Sequence, residues 1–280
     1  MIEYLIRGLL NGAVYGLLAL PMSLLFATAG TIDFAIGAYA LIAAAVATTV
    51  AGPIGLLAGL AAALVASAAM AFIFALLKRS GEEGIRVALA SFGLSVALSS
   101  IVLMVWGTQP FVRATFSTML EIGGLRLNPQ GLINLLISAA FVALLYLLLR
   151  HTNLGRMMRA AAANPAGASL AGIPVLGVQC GTILAGGLLG GVAGLLILHS
   201  AGLDFTASLS LTFTGFAAAI IFGIQSPLRS LLGGLTMGMI EAMSAGYTSG
   251  MVTSMVPSLF VLMVLVAGQL GASRFVGDRP

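Results

Sequence analysis

The sequence consists largely of apolar runs of about 20 residues, the length that an α-helix needs to cross a lipid bilayer. Only 7% of the residues are charged, whereas an ordinary soluble domain carries about 25%. A soluble protein of 280 residues could not cover its surface with so few charges. The runs are continuously apolar and lack the alternating pattern of a transmembrane β-barrel. The sequence therefore predicts an all-α, polytopic membrane protein with one transmembrane domain over residues 1–280.

We expect about nine transmembrane helices, within a range of roughly eight to ten. The second and seventh of these are short, and each adjoins a polar break in the chain. The predicted helices are, in order, Leu5–Phe26, Ile32–Val50, Pro53–Leu77, Ile85–Trp106, Gly131–Leu149, Val175–Leu198, Leu209–Phe222, Leu228–Ala245 and Met251–Leu270.

Basic residues mark the cytoplasmic loops of a membrane protein. They follow the third, fifth, seventh and ninth predicted helices: Lys78, Arg79, Arg86, Arg150, Arg156, Arg159, Arg229, Arg274 and Arg279. Of the alternate loops, only residues 108–130 contain arginines, Arg113 and Arg126. This distribution predicts that the N-terminus lies outside and the C-terminus in the cytoplasm; Arg7 fits it least well. The net charge of +4 therefore reflects membrane topology and does not indicate nucleic-acid binding.

Two polar breaks interrupt the apolar runs, at Thr28–Gly37 and Gly223–Ser230. Paired breaks in the two halves of a transporter indicate a substrate path, because irregular backbone at membrane depth must be buried in protein or line a cavity. Short interhelical turns are the alternative interpretation. Asp33, in the first break, caps the next helix, contacts a substrate or gate, or does both. Glu241, in the eighth predicted helix, faces either the bundle interior or water near the outer end.

Glycines at four-residue spacing in the sixth predicted helix indicate a face on which another helix packs closely. They are Gly186, Gly187, Gly190, Gly191 and Gly194. The sequence has no phosphate-binding loop for ATP, since Lys78 is its only lysine and Arg79 follows it. It also has no residue set with the spacing of a metal site. We therefore expect no catalytic residue, cofactor or metal in this chain.

The longest polar segment lies between the fifth and sixth predicted helices, at residues 150–174, and is called the island below. Asn153 is expected to cap a short basic helix, and Asn164 with Pro165 to open a second one. Gly172 is expected to end it. Small and basic residues suit docking into a groove on a partner protein; a loop that only fixes topology is the alternative. The residues assigned to docking are Gly155, Arg156, Arg159, Asn164, Pro165, Ala168 and Gly172.

Three segments together resemble the permeases of branched-chain amino-acid ABC importers. The most specific is residues 155–173, where Gly-Arg-Met-Met-Arg-Ala and the later Asn-Pro pair are similar to the cytoplasmic coupling segment of that family. Residues 31–39, Thr-Ile-Asp-Phe-Ala-Ile-Gly-Ala-Tyr, resemble its first-half motif, and residues 216–242 resemble its glycine-rich second-half segment. Ile36 and Ala38 stand where the family usually has a histidine and an acid. These departures favour a different or less polar cargo.

The resemblance implies a transmembrane subunit, multi-pass in the bacterial inner membrane, that imports amino acids or related small amphiphilic solutes by alternating access. The implied partners are a homologous second permease, two cytoplasmic ATPases that bind ATP and Mg²⁺, and a periplasmic substrate-binding protein. The island would dock on the ATPase. The residues expected near the substrate path are Asp33, Phe34, Gly37, Tyr39, Gln225, Ser226 and Glu241. A stand-alone secondary transporter or channel is the alternative, whereas the two polar breaks argue against a scaffold without transport.

Overall fold

A computed structural model of the chain is almost entirely helical. It describes residues 2–80, 84–113, 120–122, 125–248, 250, 252–253, 255–263 and 266. The elements are α1 (Ile2–Ala29), α2 (Ile36–Thr49), α3 (Pro53–Arg79), α4 (Gly84–Trp106), β1 (Leu120–Ile122), β2 (Leu125–Leu127), α5 (Pro129–His151), α6 (Asn153–Ala163), α7 (Pro165–Leu170), α8 (Val175–Ser200), α9 (Ala207–Ile221) and α10 (Pro227–Tyr247).

Five helices of the described chain are long and apolar enough to cross a membrane: α1, α3, α4, α5 and α8. Of these, α1 and α8 are central, because they bury 78% and 72% of their most apolar stretch. The corresponding shares are 33%, 22% and 11% in α3, α4 and α5. These three helices therefore lie at the periphery with apolar outer faces, as helices in contact with lipid do.

Most predicted helices are present, but several boundaries differ. The second begins at Ile36 rather than Ile32, because residues 32–35 are apolar enough to extend the hydropathy signal but do not form helix. The seventh and eighth are α9 and α10, each slightly longer at its start than predicted. The antiparallel pair β1–β2 was not predicted and makes the all-α description incomplete. Much of the ninth predicted helix, Met251–Leu270, lies outside the described residues, although residues 255–263 are helical.

Glycines allow the closest helix contacts. A Cβ on Gly12 of α1 would lie 2.7 Å from the Cα of Leu235, and a Cβ on Gly238 of α10 would overlap the backbone of Gly12. These two helices therefore pack backbone against backbone, as small residues at four-residue spacing permit.

The predicted glycines of α8 contact three different helices. Gly186 faces Pro21 of α1, and Gly187 and Gly191 face α3, where their added Cβ atoms would meet Ser67 and Ala63. Gly190 and Gly194 face α2, and a Cβ on Gly194 would lie 2.6 Å from the Cα of Ala40. These five glycines therefore lie on several faces of α8, each packed against a different helix, whereas the sequence predicted one face for one helix.

The two ends of the chain repeat one arrangement in opposite directions. Helices α1 and α8 are antiparallel: Gln179 at the start of α8 donates to the carbonyl of Thr28 near the end of α1, at 2.7 Å, and Gly186, later in α8, faces Pro21, earlier in α1. Each is followed by a turn, then a short helix (α2 or α9), then a long helix (α3 or α10). The long helix of each repeat packs against the first helix of the other repeat: α10 packs on α1, and α3 packs on α8. This is the pattern of an inverted repeat, which many transporters share.

Candidate functional site

The first polar break is a buried turn between α1 and α2. Gly30 ends α1 in the left-handed region, with φ of 67°. Asp33 is 2% exposed, and its Oδ1 accepts the amide of Ala35 at 2.8 Å while its Oδ2 accepts the Tyr39 hydroxyl at 3.0 Å. The expectation that Asp33 is the N-cap of the helix is wrong, because Ala35 occupies that position. Asp33 instead holds the turn that precedes the helix, as Asp side chains often do.

The start of α2 meets the start of α9 inside the bundle. The Gly37 amide donates to the Thr212 hydroxyl at 3.1 Å, and this hydroxyl lies 3.2 Å from the carbonyl oxygen of Phe34. A Cβ on Gly37 would overlap the carbonyl oxygen of Ser208. The rings of Phe34 and Phe216 are 6.0 Å apart. Two helix N-termini, which carry partial positive charge, therefore converge on one buried place.

Serines of α4 line the same region. Ser91 accepts the Phe34 amide at 2.9 Å, and the hydroxyls of Ser95 and Ser208 are 3.1 Å apart. Both α4 serines are buried, and their four-residue spacing places them on one face of the helix. Sequence reasoning missed them, although polar residues at helical spacing within an apolar run were the available signal. We call Asp33, Tyr39, Ser91, Ser95, Ser208 and Thr212 the polar seam.

A second turn, before α9, repeats the pattern of the first, although it is only partly buried. Residues 201–205 read Ala-Gly-Leu-Asp-Phe, and residues 29–34 read Ala-Gly-Thr-Ile-Asp-Phe. Gly202 has φ of 80°, and Asp204 Oδ1 accepts the amide of Thr206 at 2.8 Å, as Asp33 accepts that of Ala35. A groove of about 280 Å³ lies between this turn and α4, lined in part by Ser99 and Phe205. The topology predicted from the basic residues makes this segment an outer loop, and its likeness to residues 29–34 was not predicted.

The second predicted break is a separate place in the fold. Gly223 has φ of 99°, and the Ser23 hydroxyl donates to the carbonyl of Ile224 at 2.6 Å. Gln225 and Ser226 line a cavity of about 490 Å³ that also touches the island. The predicted path residues Asp33, Phe34, Gly37 and Tyr39 do not line this cavity. The structure therefore places these two groups of predicted path residues in different parts of the bundle.

Glu241 belongs to neither of these groups. It lies on α10, where its carboxyl faces the Tyr15 hydroxyl of α1. Its Oε2 is buried and has no hydrogen-bond partner within the described part of the chain. The sequence left two positions open for Glu241, the bundle interior and water near the outer end. The structure supports the interior, because the carboxyl lies between α1 and α10.

The island forms two short helices, α6 and α7. The N-cap of α6 is Thr152, whose hydroxyl accepts the Gly155 amide at 3.1 Å, so the assignment of this cap to Asn153 is wrong by one residue. Asn164 caps α7 as expected, accepting the Gly167 amide at 2.9 Å. Pro165 is the first residue of α7, and Gly172, with φ of 81°, follows its end.

The island has a buried face and an exposed face. Gly155, Met158 and Ala161 are buried, and Met158 and Ala161 form a small apolar cluster with Val178 of α8. A side chain on Gly155 would collide with the end of α5. Leu170, in contrast, is 90% exposed, and the docking residues Arg156, Arg159, Asn164 and Pro165 are also exposed. The island is therefore fixed to α5 and α8 by one side and presents basic and apolar groups on the other.

Comparisons of the sequence with known proteins identify its relatives. Residues 4–272 match the family model described as "Branched-chain amino acid transport system / permease component". The chain belongs to this family. It is 26% identical over 300 residues to the high-affinity branched-chain amino acid transport system permease protein LivH of Escherichia coli K12 and of Salmonella typhimurium, covering 96% of this chain and 95% of each relative. The permease protein BraD of Pseudomonas aeruginosa is 24% identical over 293 residues, covering 95% and 93%. No solved structure gives a significant match.

Membership of the family confirms the resemblance that the sequence motifs indicated. Together with the apolar helices, it identifies the chain as a multi-pass inner-membrane protein and a permease component of a transport system. The family is one of transport components rather than enzymes.

Proposed function

We propose that this chain is the transmembrane subunit of an ATP-driven ABC importer for branched-chain amino acids or related small amphiphilic solutes. The observation that carries the proposal is the pair of Asp-Phe turns, which belong to oppositely directed repeats and flank one polar seam. Two such repeats can tilt against each other around a fixed central site and expose it alternately to the two sides of the membrane. The relatives are named as permease proteins of branched-chain amino acid transport systems.

The polar seam suits a zwitterionic solute with an apolar side chain. The converging N-termini of α2 and α9 favour a carboxylate, and the buried carboxylate of Asp33 favours an ammonium group. Hydroxyls such as those of Ser95 and Thr212 exchange hydrogen bonds as a solute passes. The aromatic pair Phe34–Phe216 offers an apolar surface beside them. The same seam also suits small amides, so the solute class is wider than one amino acid.

The island is the proposed point of attachment for the motor. Because its buried face is packed on α5 and α8, a push on its exposed face is transmitted to both helices. Helix α8 in turn contacts α1, α2 and α3 through its glycines. ATP-driven closure of two partner ATPases would thus be coupled to movement around the seam. A homologous second permease and a periplasmic binding protein complete the proposed assembly.

Reconstitution distinguishes this proposal from a stand-alone transporter or channel. The chain is placed in proteoliposomes with its candidate second permease, ATPases and binding protein, and uptake of labelled leucine, isoleucine or valine is measured. We expect uptake only when ATP and every component are present. If the chain alone, without ATPase or ATP, gives the same uptake as the full set of components, the protein is a stand-alone transporter or channel and the proposal is wrong.

A charge reversal on the island tests the attachment itself. Arg156 is exposed, and Arg156→Glu should leave the protein in the membrane but separate ATP hydrolysis from uptake. Lys78→Glu, at the end of α3 and outside the island, is the matched control and should leave coupling close to that of the unmodified protein. If ATP hydrolysis stays equally coupled to uptake in the two variants, the island is not the site where the ATPase docks.

A further inference from the structure

A cavity of about 490 Å³ lies beside the island, bounded by α1, α5, α6 and the start of α10. Its walls along α1 and α5 are apolar, formed by residues such as Leu24 and Leu145. On α5 the next residues around the helix, Leu144 and Leu147, are exposed on the periphery of the bundle. The apolar wall of the cavity is thus continuous with a surface that lipid covers in the membrane.

The end of the cavity next to the island is cationic. Arg150 and Arg159 both line it. The Arg150 guanidinium donates to the Tyr146 hydroxyl at 2.6 Å, and the Arg159 guanidinium donates to the carbonyl of Leu149. A guanidinium has five N–H donors, so most remain available on each. No carboxylate in the described ranges is paired with either arginine.

An apolar slot with two cationic groups at one end matches the chemistry of an anionic phospholipid. Arginine binds phosphate oxygens in a forked geometry, and basic pockets between transmembrane helices bind anionic headgroups. A soluble anion would leave the apolar walls without a partner, whereas an acyl chain covers them. We propose that this cavity binds one anionic phospholipid, with its phosphate at Arg150 and Arg159 and an acyl chain between α1 and α5.

The bound lipid would also support the island. Met158, Arg159 and Ala162 of α6 form one side of the cavity, so an occupant packs directly against this helix. Such an occupant adds to the contacts that Met158 and Arg159 already make with α8 and α5. The proposal requires only that the chain lies in a membrane, and it is independent of whether an ATPase docks on the island.

Native mass spectrometry of the full chain in mild detergent provides the test. The protein is titrated with phosphatidylglycerol or with phosphatidylcholine of the same acyl chains. We expect one phosphatidylglycerol to bind at least about fivefold more tightly than phosphatidylcholine, and Arg150→Gln to weaken its binding about fivefold. Lys78→Gln, which removes a basic residue that does not line the cavity, should change binding less than about twofold.

A second pair of variants tests the apolar slot without changing charge. Val142→Phe fills space between α1 and α5 and should reduce binding of phosphatidylglycerol several-fold, while Leu144→Phe, on the exposed face of the same helix, should not. Thermal unfolding confirms that each variant is folded. Equal binding of the two lipids, equal losses in Arg150→Gln and Lys78→Gln, or full binding to Val142→Phe would overturn the proposal. Displacement of the lipid by free leucine would assign the cavity to the cargo and also overturn it.

Discussion

The close approach of α2 to α9 predicts that Gly37→Ala destabilises the protein. The new Cβ would lie 2.6 Å from the Thr212 hydroxyl, whereas ordinary contact begins at 3.4 Å, so this group alone must move by about 0.8 Å. The Ser208 carbonyl must move further. Overpacking of this kind costs about 1–3 kcal/mol. Since about 1 kcal/mol shifts the melting temperature of a chain of this size by roughly 2–4 °C, we expect a decrease of roughly 2–12 °C.

Thermal unfolding in detergent measures this shift, and Gly93→Ala provides the matched control. Gly93 is a helical glycine of α4 with no atom within 4 Å of its added Cβ, so alanine there should be neutral or stabilising by about 0.5–1 kcal/mol. Uptake by Gly37→Ala should also fall, because the substitution pushes apart the two short helices at the seam. Identical melting temperatures for the two variants would refute the reasoning.

Three further predictions concern single contacts. Tyr39→Phe removes the hydroxyl that donates to buried Asp33, and unfolding should show a loss of about 1–3 kcal/mol; an unchanged stability would contradict that bond. Asn164→Ala removes the cap of α7, worth about 1 kcal/mol, and amide hydrogen exchange in α7 should become about fivefold faster, whereas unchanged exchange would show that the cap does not stabilise this helix. Gly238→Ala forces α10 away from α1 and should lower the melting temperature by several degrees. Gly181→Ala, in open space on α8, should not, and equal shifts in these two glycine variants would count against backbone packing.

Hydropathy and capping rules predicted the helices and much of the island. Long apolar runs are strong signals, and Asn164 followed by Pro165 specifies its cap from local chemistry alone. The start of α2 was misplaced because Ile32, Phe34 and Ala35 are as apolar as the helix that follows. Their backbone is instead held by Asp33 and Ser91, contacts that no hydropathy pattern describes.

Only Asp33 and Tyr39 of the polar seam were predicted, and the reason is physical. A serine within an apolar helix can satisfy its hydroxyl by bonding to its own helix, as Ser91 does with the carbonyl of Ala88, so its presence does not reveal a neighbour. Which helix faces meet is decided by packing across the bundle. Asp204 was overlooked because an acid in a polar loop is ordinary, and only its likeness to the turn at Asp33 distinguishes it.

The proposed function depends most on the island lying on the cytoplasmic side and binding an ATPase there. The most direct measurement uses Leu170→Cys in a chain whose single cysteine, Cys180, is replaced by alanine, because residue 170 is 90% exposed. A membrane-impermeant maleimide should label it in inverted membrane vesicles but not in spheroplasts, and assembly with the ATPase subunits should block the labelling. Labelling from the outside, or labelling that the ATPase leaves unchanged, would contradict the account.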